Sequence, residues 1–308
     1  MRVFYGFDKL GEIKNPVVTT GTFDGVHLGH KTILNRLNRL AAENDGESVL
    51  ITFYPHPRKV LYPETKGKNL KMISTKEEKI ELLEEAGLDN LIIVEFTREF
   101  SQVSGREFIE NYVFARLSPV VIVVGFNHHF GHNKEGDYAY LQSVSSEYGF
   151  RAEEIPEQEV QNETVSSTEI RKALSEGYIQ KANAYLDHYY FVSGKPSMGN
   201  GVAAINGDAR IRVTIDDDEK MFPLSGSYAV SIPLYNTIKR GFAYIRDTET
   251  MPAEVDLLLF DGEGISINDR NGIRLNFHKR MSGIIPGGLQ SSSGMLEKVI
   301  NETKELIF

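Results

Sequence analysis

His27 and His30 stand three residues apart at the end of the run Gly21-Thr22-Phe23-Asp24-Gly25-Val26-His27-Leu28-Gly29-His30. Glycines let a backbone come close to a phosphate, and a helix starting where such a run ends offers unpaired N–H groups and the positive end of its dipole. Two imidazoles on one face of that helix end can donate hydrogen bonds to phosphate oxygens and stabilise the charge that builds up in phosphoryl transfer. Taken alone, His-x-x-His reads equally as a capped surface turn or a zinc pair. Its place after an apolar strand and before an amphipathic helix favours the phosphate reading. The run lacks the Gly-Lys-Ser/Thr of a P-loop.

Three further clusters have chemistry to offer. Pro55-His56-Pro57 is a rigid turn carrying a histidine. His128, His129 and His132 follow an apolar run, with no acidic or thiol partner at a spacing that completes a metal site. Ser166-x-x-Glu169 is a capping box, and Thr168 and Arg171 fall in the same first turn, where an arginine can hold a phosphate through two parallel hydrogen bonds.

The elements that must position these groups follow from periodicity. Apolar runs at Val17 to Thr20, Val49 to Phe53, Leu91 to Val94 and Val120 to Val124 alternate with helical patterns. Ile33, Leu34, Leu37, Leu40 and Ala41 mark one helix. Ser74-x-x-Glu77 opens a second, which Gly87 ends. Ser104-x-x-Glu107 opens a third, with Phe108, Ile109, Tyr112 and Val113 on its inner side. Alternation of this kind predicts an open α/β fold with a parallel sheet covered on both faces. The pattern stays helical from Thr164 to Leu186 and turns to period two after about Tyr189. Ile211, Val213 and Ile215, then Ile273, Leu275 and Phe277, alternate with polar residues. With further runs at Tyr228 to Ile232, Phe242 to Ile245 and Glu254 to Phe260, they predict a small antiparallel barrel, closed by a terminal helix over Leu296 to Ile307. The expected domains are 1–188 and 189–308.

Composition narrows the partners. Thirty-four basic against 43 acidic residues give a net charge of −9, so nothing draws in a nucleic-acid backbone and an anionic ligand needs a local site. There are no cysteines, no apolar segment of signal-peptide length and no run long enough to span a membrane. The expectation is a cytoplasmic protein acting on small molecules, with its oligomeric state and any metal ligands unassigned.

The run at 21–30 resembles the signature of the nucleotidyltransferases that adenylylate or cytidylylate small phosphates. Thr52-Phe53-Tyr54-Pro55-His56-Pro57, Val124-Gly125-Phe126-Asn127-His128-His129-Phe130-Gly131 and Val165-Ser166-Ser167-Thr168-Glu169-Ile170-Arg171 resemble, in order, the next three motifs of bacterial bifunctional riboflavin kinase/FAD synthetases. The resemblance implies a Rossmann-like nucleotidyltransferase domain followed by a riboflavin kinase-like barrel. It implies that FMN attacks the α-phosphate of ATP, with Mg²⁺ screening the charge, to give FAD and pyrophosphate. It assigns His27 and His30 to the transition state. Gly21, Phe23, Asp24, Gly29, Ser167, Thr168 and Arg171 go to ATP, with Ser167, Thr168 and Arg171 on its β- and γ-phosphates. His56 and Asn127 go to the flavin phosphate and reacting centre. In the barrel, Pro223 to Val230 and Ala253 to Phe260 resemble family strands, and Glu254 falls where the family has its catalytic base; by itself it reads as an outward-facing strand residue. The family's Gly-Phe-Pro-Thr-Ala-Asn string, whose threonine and asparagine bind nucleotide and Mg²⁺, is absent between residues 190 and 225. The second domain is therefore expected to keep the fold with weak or no riboflavin phosphorylation. Other readings are a fully bifunctional enzyme, a transferase for another phosphate, and a flavin-binding regulator without catalysis.

Overall fold

A computed structural model describes residues 1–126, 128–157, 159–160, 163–197, 203–205, 208–234, 237–246, 253–260, 272–281 and 294–307. It divides into two compact units, Met1–Met72 with Lys76–Val165, and Ile73–Thr75 with Ser166–Phe308. The two helices between Ser166 and residue 188 thus pack with the barrel.

The first unit is built on a six-stranded sheet in which every pairing is parallel. Its strands are β1 (Arg2–Tyr5), β2 (Val17–Thr20), β3 (Ser48–Tyr54), β4 (Asn90–Glu95), β5 (Val121–Gly125) and β6 (Arg151–Ile155), in the order β1-β4-β3-β2-β5-β6. The helical elements are α1 (Leu28–Glu43), α2 (Pro57–Leu61), α3 (Lys76–Glu85), α4 (Gly105–Glu107), a π-helical segment Phe108–Phe114, α5 (Ala115–Leu117) and α6 (Tyr138–Tyr148). The central strands are buried along their length because helices cover both faces, and α1 seats Leu34, Leu37, Leu40 and Ala41 against them. The chain moves from β2 outward to β3 and β4, then returns to the other side of β2 for β5. Strand order therefore reverses beside β2, and the crevice beyond the carboxyl ends of β2 and β5 is where an open α/β sheet takes its ligand.

Local expectations hold with instructive exceptions. Ser104 caps α4 through a full capping box. Helix α3 starts at Lys76, one residue later than Ser74 as cap would require. The helix read after Ser104 widens to a π-helix over Phe108–Phe114, which still turns Phe108, Ile109 and Val113 inward. Strands β1 and β6 carry no strong apolar signal because they are edges, half-exposed and charged at Arg2, Arg151, Glu153 and Glu154. Glu153 of β6 receives Arg36 of α1 through Nη2 at 2.9 Å and through Nε.

Thr164 lies in a strand, not a helix: β7 (Glu159–Val160) and β8 (Glu163–Thr164) form a short antiparallel pair. In the second unit the helical stretch is broken at Gly177 (φ +79°) into α7 (Ser167–Ser175) and α8 (Ile179–Leu186). The barrel strands are β9 (Tyr190–Ser197), β10 (Ala203–Ile205), β11 (Asp208–Ile215), β12 (Gly226–Leu234), β13 (Thr237–Ile245), β14 (Ala253–Leu259) and β15 (Ile273–Arg280). Six of them close a ring, β11-β14-β13-β12-β15-β9, through the pairing of β9 with β11; β10 lies outside on β11. All pairings are antiparallel. Ala209, Ile211, Val213 and Ile215 fill the interior by alternation. The helix α9 (Gly294–Ile307) brings Ile300 onto an outer patch formed by Phe242, Tyr244 and Leu258. Among the described residues no helix is long and apolar enough to cross a membrane.

Candidate active site

The loop after β2 leaves the sheet in an unusual conformation. Phe23, Gly25 and Val26 all take positive φ (+48°, +80° and +39°). For a β-branched residue such as Val26 this is a true outlier, and strain of this kind persists only where surrounding structure holds it. The hold is visible at the carbonyl of Thr22, which accepts from Thr52 Oγ1 at 3.3 Å and from Lys79 Nζ at 2.9 Å. Asp24, 1% exposed, lies in the same turn.

The turn delivers His27 to the N-cap position of α1, with extended backbone and no side-chain cap. Its carbonyl accepts from Lys31 N at 2.9 Å and so starts the helix. No acidic residue sits in the first turn, which leaves the positive end of the dipole for an anion. The ring of His27 stacks on that of His30 (centroids 3.6 Å apart, planes 18° apart), and His30 stacks in turn on Phe23 (4.4 Å, 22°). Gly21 and Gly29 flank this triple stack. A Cβ on Gly21 would stand 3.0 Å from the Phe23 ring, and one on Gly29 would stand 3.3 Å from the His27 ring. Part of the glycines' purpose is therefore room for rings, which their sequence spacing did not announce.

Burial holds the His30 imidazole well below its ordinary pKa, and the neighbouring His27 and Lys79 push it further in the same direction. His30 is neutral at pH 7, and its Nδ1 is shut from solvent with no hydrogen-bond partner among the described residues. A buried imidazole nitrogen without a partner is costly, and such cost is commonly carried at functional sites.

His56 follows the carboxyl end of β3, next to β2 in the sheet. Its Nδ1 accepts from Arg58 N at 3.1 Å and caps α2, so the proton of the neutral ring is on Nε2. After β5, the Nε2 of His128 is buried without a partner among the described residues, and burial, then His129, lowers its pKa to about 4. His132 donates from Nδ1 to the carbonyl of Ser101 at 3.0 Å. Among the described residues no three His, Cys, Asp or Glu come together as a metal cluster. Asn127 lies outside the described residues.

In the second unit, Ser166 caps α7 by accepting from Glu169 N at 3.3 Å, which places Ser167 and Thr168 in its first turn and Arg171 at the start of the second, Thr168 exposed and the other two partly so. Glu254 of β14 is exposed and faces Arg212 Nη1 at 3.5 Å. Arg212 also bonds Asp256 through Nε at 3.2 Å, and Arg246 reaches Asp256 at 2.7 Å, so Glu254 belongs to an ion-pair chain. The first unit thus gathers Gly21, Phe23, Asp24, His27, Gly29 and His30 in one turn, with His56 one strand away. The second holds Ser167, Thr168 and Arg171 together on α7, and Glu254 apart from them on the barrel. Sequence reading missed Lys79. Its only signal is a lysine at helical spacing with Leu82 and Leu83, the buried stripe of α3.

Comparison with known proteins agrees with this picture. Residues 11–169 match the FAD synthetase family model. The bifunctional riboflavin kinase/FMN adenylyltransferase of Listeria monocytogenes is 30% identical over 255 residues, 81% of this chain and 80% of that protein. Those of Buchnera aphidicola (31% over 238 residues, 76% and 74%) and Pseudomonas fluorescens (29% over 276 residues, 88% and 86%) are similarly related. The crystal structure of a macrolide-efflux protein from Streptococcus pneumoniae shares the fold, with a TM-score of 0.81 at 21% identity over 99% of this chain and 98% of that one.

Proposed function

The chain belongs to the FAD synthetase family and is an FMN adenylyltransferase, and we propose that it transfers the adenylyl group of ATP across the stacked pair His27–His30. A phosphate oxygen of FMN attacks the α-phosphorus of ATP, the bond to the bridging β-oxygen breaks, and pyrophosphate leaves with FAD as product. The observation that carries this reading is the imidazole pair at the uncapped start of α1, set there by a strained turn at the carboxyl end of β2. The two rings donate N–H to the α-phosphate oxygens, and the first N–H groups of α1 add to the same field. The turn keeps the rings aimed before substrate arrives, so little reorganisation is needed in the transition state. Ser167, Thr168 and Arg171 are the proposed grip on the β- and γ-phosphates, and His56 and Asn127 the contacts to the flavin phosphate.

Mg²⁺ fits this chemistry as the counter-ion of the triphosphate, since that cation is commonly held through substrate phosphates with one or two carboxylates at most. Bound there, it would neutralise charge on the departing pyrophosphate. The barrel is proposed to retain weak or no riboflavin kinase activity, supported by the missing Thr/Asn string and by the pairing of Glu254 with Arg212. Full bifunctionality is the second reading, favoured by the names of the relatives. The setting proposed is the cytoplasm. Incubation of the protein with ATP, Mg²⁺ and FMN tests the main assignment: FAD and pyrophosphate should appear in equal amounts. Tight flavin binding without product would make the protein a flavin-binding regulator instead.

A further inference from the structure

Lysine side chains are among the least often buried, yet Lys79 runs along the apolar stripe of α3 and ends on the Thr22 carbonyl at 2.9 Å. Thr52 Oγ1 meets the same carbonyl from the sheet at 3.3 Å. The left-handed turn is therefore held from two elements, at the residue just before its first strained φ. Burial lowers the pKa of Lys79, and the nearby carboxylate of Asp24 acts in the opposite direction. The charged groups that act on the His30 ring are His27 from the adjoining helix end and Lys79 from α3, with Asp24 of the turn beside Lys79.

We propose that Lys79 is a positioning residue of the adenylyl-transfer site, pinning the turn that carries the histidine pair and supplying the fixed positive charge behind it. The proposal rests on the reading of His30 given above. The chain carries a net charge of −9, so any positive potential for a triphosphate has to be local, and an ammonium anchored on a carbonyl supplies it at a set place. That cation adds to burial and to His27 in holding His30 neutral, with one N–H to donate. Lys79 acts through the turn and the ring, so its loss should appear in kcat more than in the KM for ATP or FMN.

Lys79→Met removes both donor and charge, Lys79→Gln keeps a donor for the carbonyl, and Lys79→Arg keeps the charge. With histidine labelled for NMR, the His30 ring should titrate at higher pH in the Met and Gln variants than in the parent. Their kcat should fall about tenfold or more at pH 8, and its acid limb should move upward with the titration. Lys79→Arg should restore the limb. If Lys79→Met fails to fold, Lys79→Gln gives the same readings. An unshifted His30 titration in a folded variant, or a kcat loss equal at every pH, overturns the role of Lys79. A shifted titration with unchanged kcat overturns the reading of His30 on which that role rests.

Discussion

Burial holds the imidazoles of His30 and His128 below their ordinary pKa. His30 stacks between His27 and Phe23, and two such rings 3.6 Å apart cannot both carry charge without a large penalty. On the proposed mechanism, the neutral His30 ring acts by N–H donation. His30→Ala should lower kcat for FAD formation by about 10²-fold or more, the usual loss for one transition-state donor; a rate close to that of the parent would remove His30 from the mechanism. His128 makes a prediction about stability. Its pKa is near 6.5 in the unfolded chain and about 4 in the folded one. Between those values the unfolded chain binds more protons, so stability is complete above pH 6.5 and falls as pH drops through the window, by about 2–3 kcal/mol. Urea unfolding at pH 7.5 and 4.5 measures it. His128→Gln should lose less on acidification, and an equal loss would refute the assignment.

Among the elements, the loops at the carboxyl ends of β2 and β5 carry the strained backbone and the proposed site residues. Two glycines separate backbone strain from steric clash. Gly131 has φ +75° and a Cβ there would stand 2.4 Å from the backbone nitrogen of Gly105. Gly149, which ends α6, has the same φ with nothing within 4 Å. Gly149→Ala should therefore cost about 1 kcal/mol, from the left-handed backbone alone. Gly131→Ala should cost about 2–4 kcal/mol, because two backbone segments must separate as well. Equal melting temperatures for the two variants would contradict the close approach of residues 105 and 131.

For the whole molecule, the question is how two compact units divide the flavin chemistry. The barrel is closed and well filled, so its fold does not depend on a kinase site. Glu254 sits on its outer side, engaged by Arg212, which also serves Asp256. Glu254 is engaged in an ion pair, and the string that would bind nucleotide and Mg²⁺ is absent between residues 190 and 225. Riboflavin incubated with ATP and Mg²⁺ should thus yield little or no FMN under conditions where FMN is converted to FAD. Robust phosphorylation of riboflavin would overturn the view of the barrel as catalytically weak.

The alternation of apolar runs and helical stripes determined the parallel sheet, because strands buried on both faces and helices covering them leave that signature in any order of residues. Period two after Tyr189 determined the barrel for the same reason. The run from Gly21 to His30 marked a loop of glycines and histidines at a helix start, since these are legible by type and spacing. Edges β1 and β6 were not legible, because half-exposed strands need no apolar pattern. Only tertiary structure revealed the positive φ of Phe23 and Val26, the stacking of three rings and the arrival of Lys79 from α3, 57 residues after the carbonyl it holds. Backbone strain and long-range contacts depend on which elements become neighbours, and no local spacing encodes that.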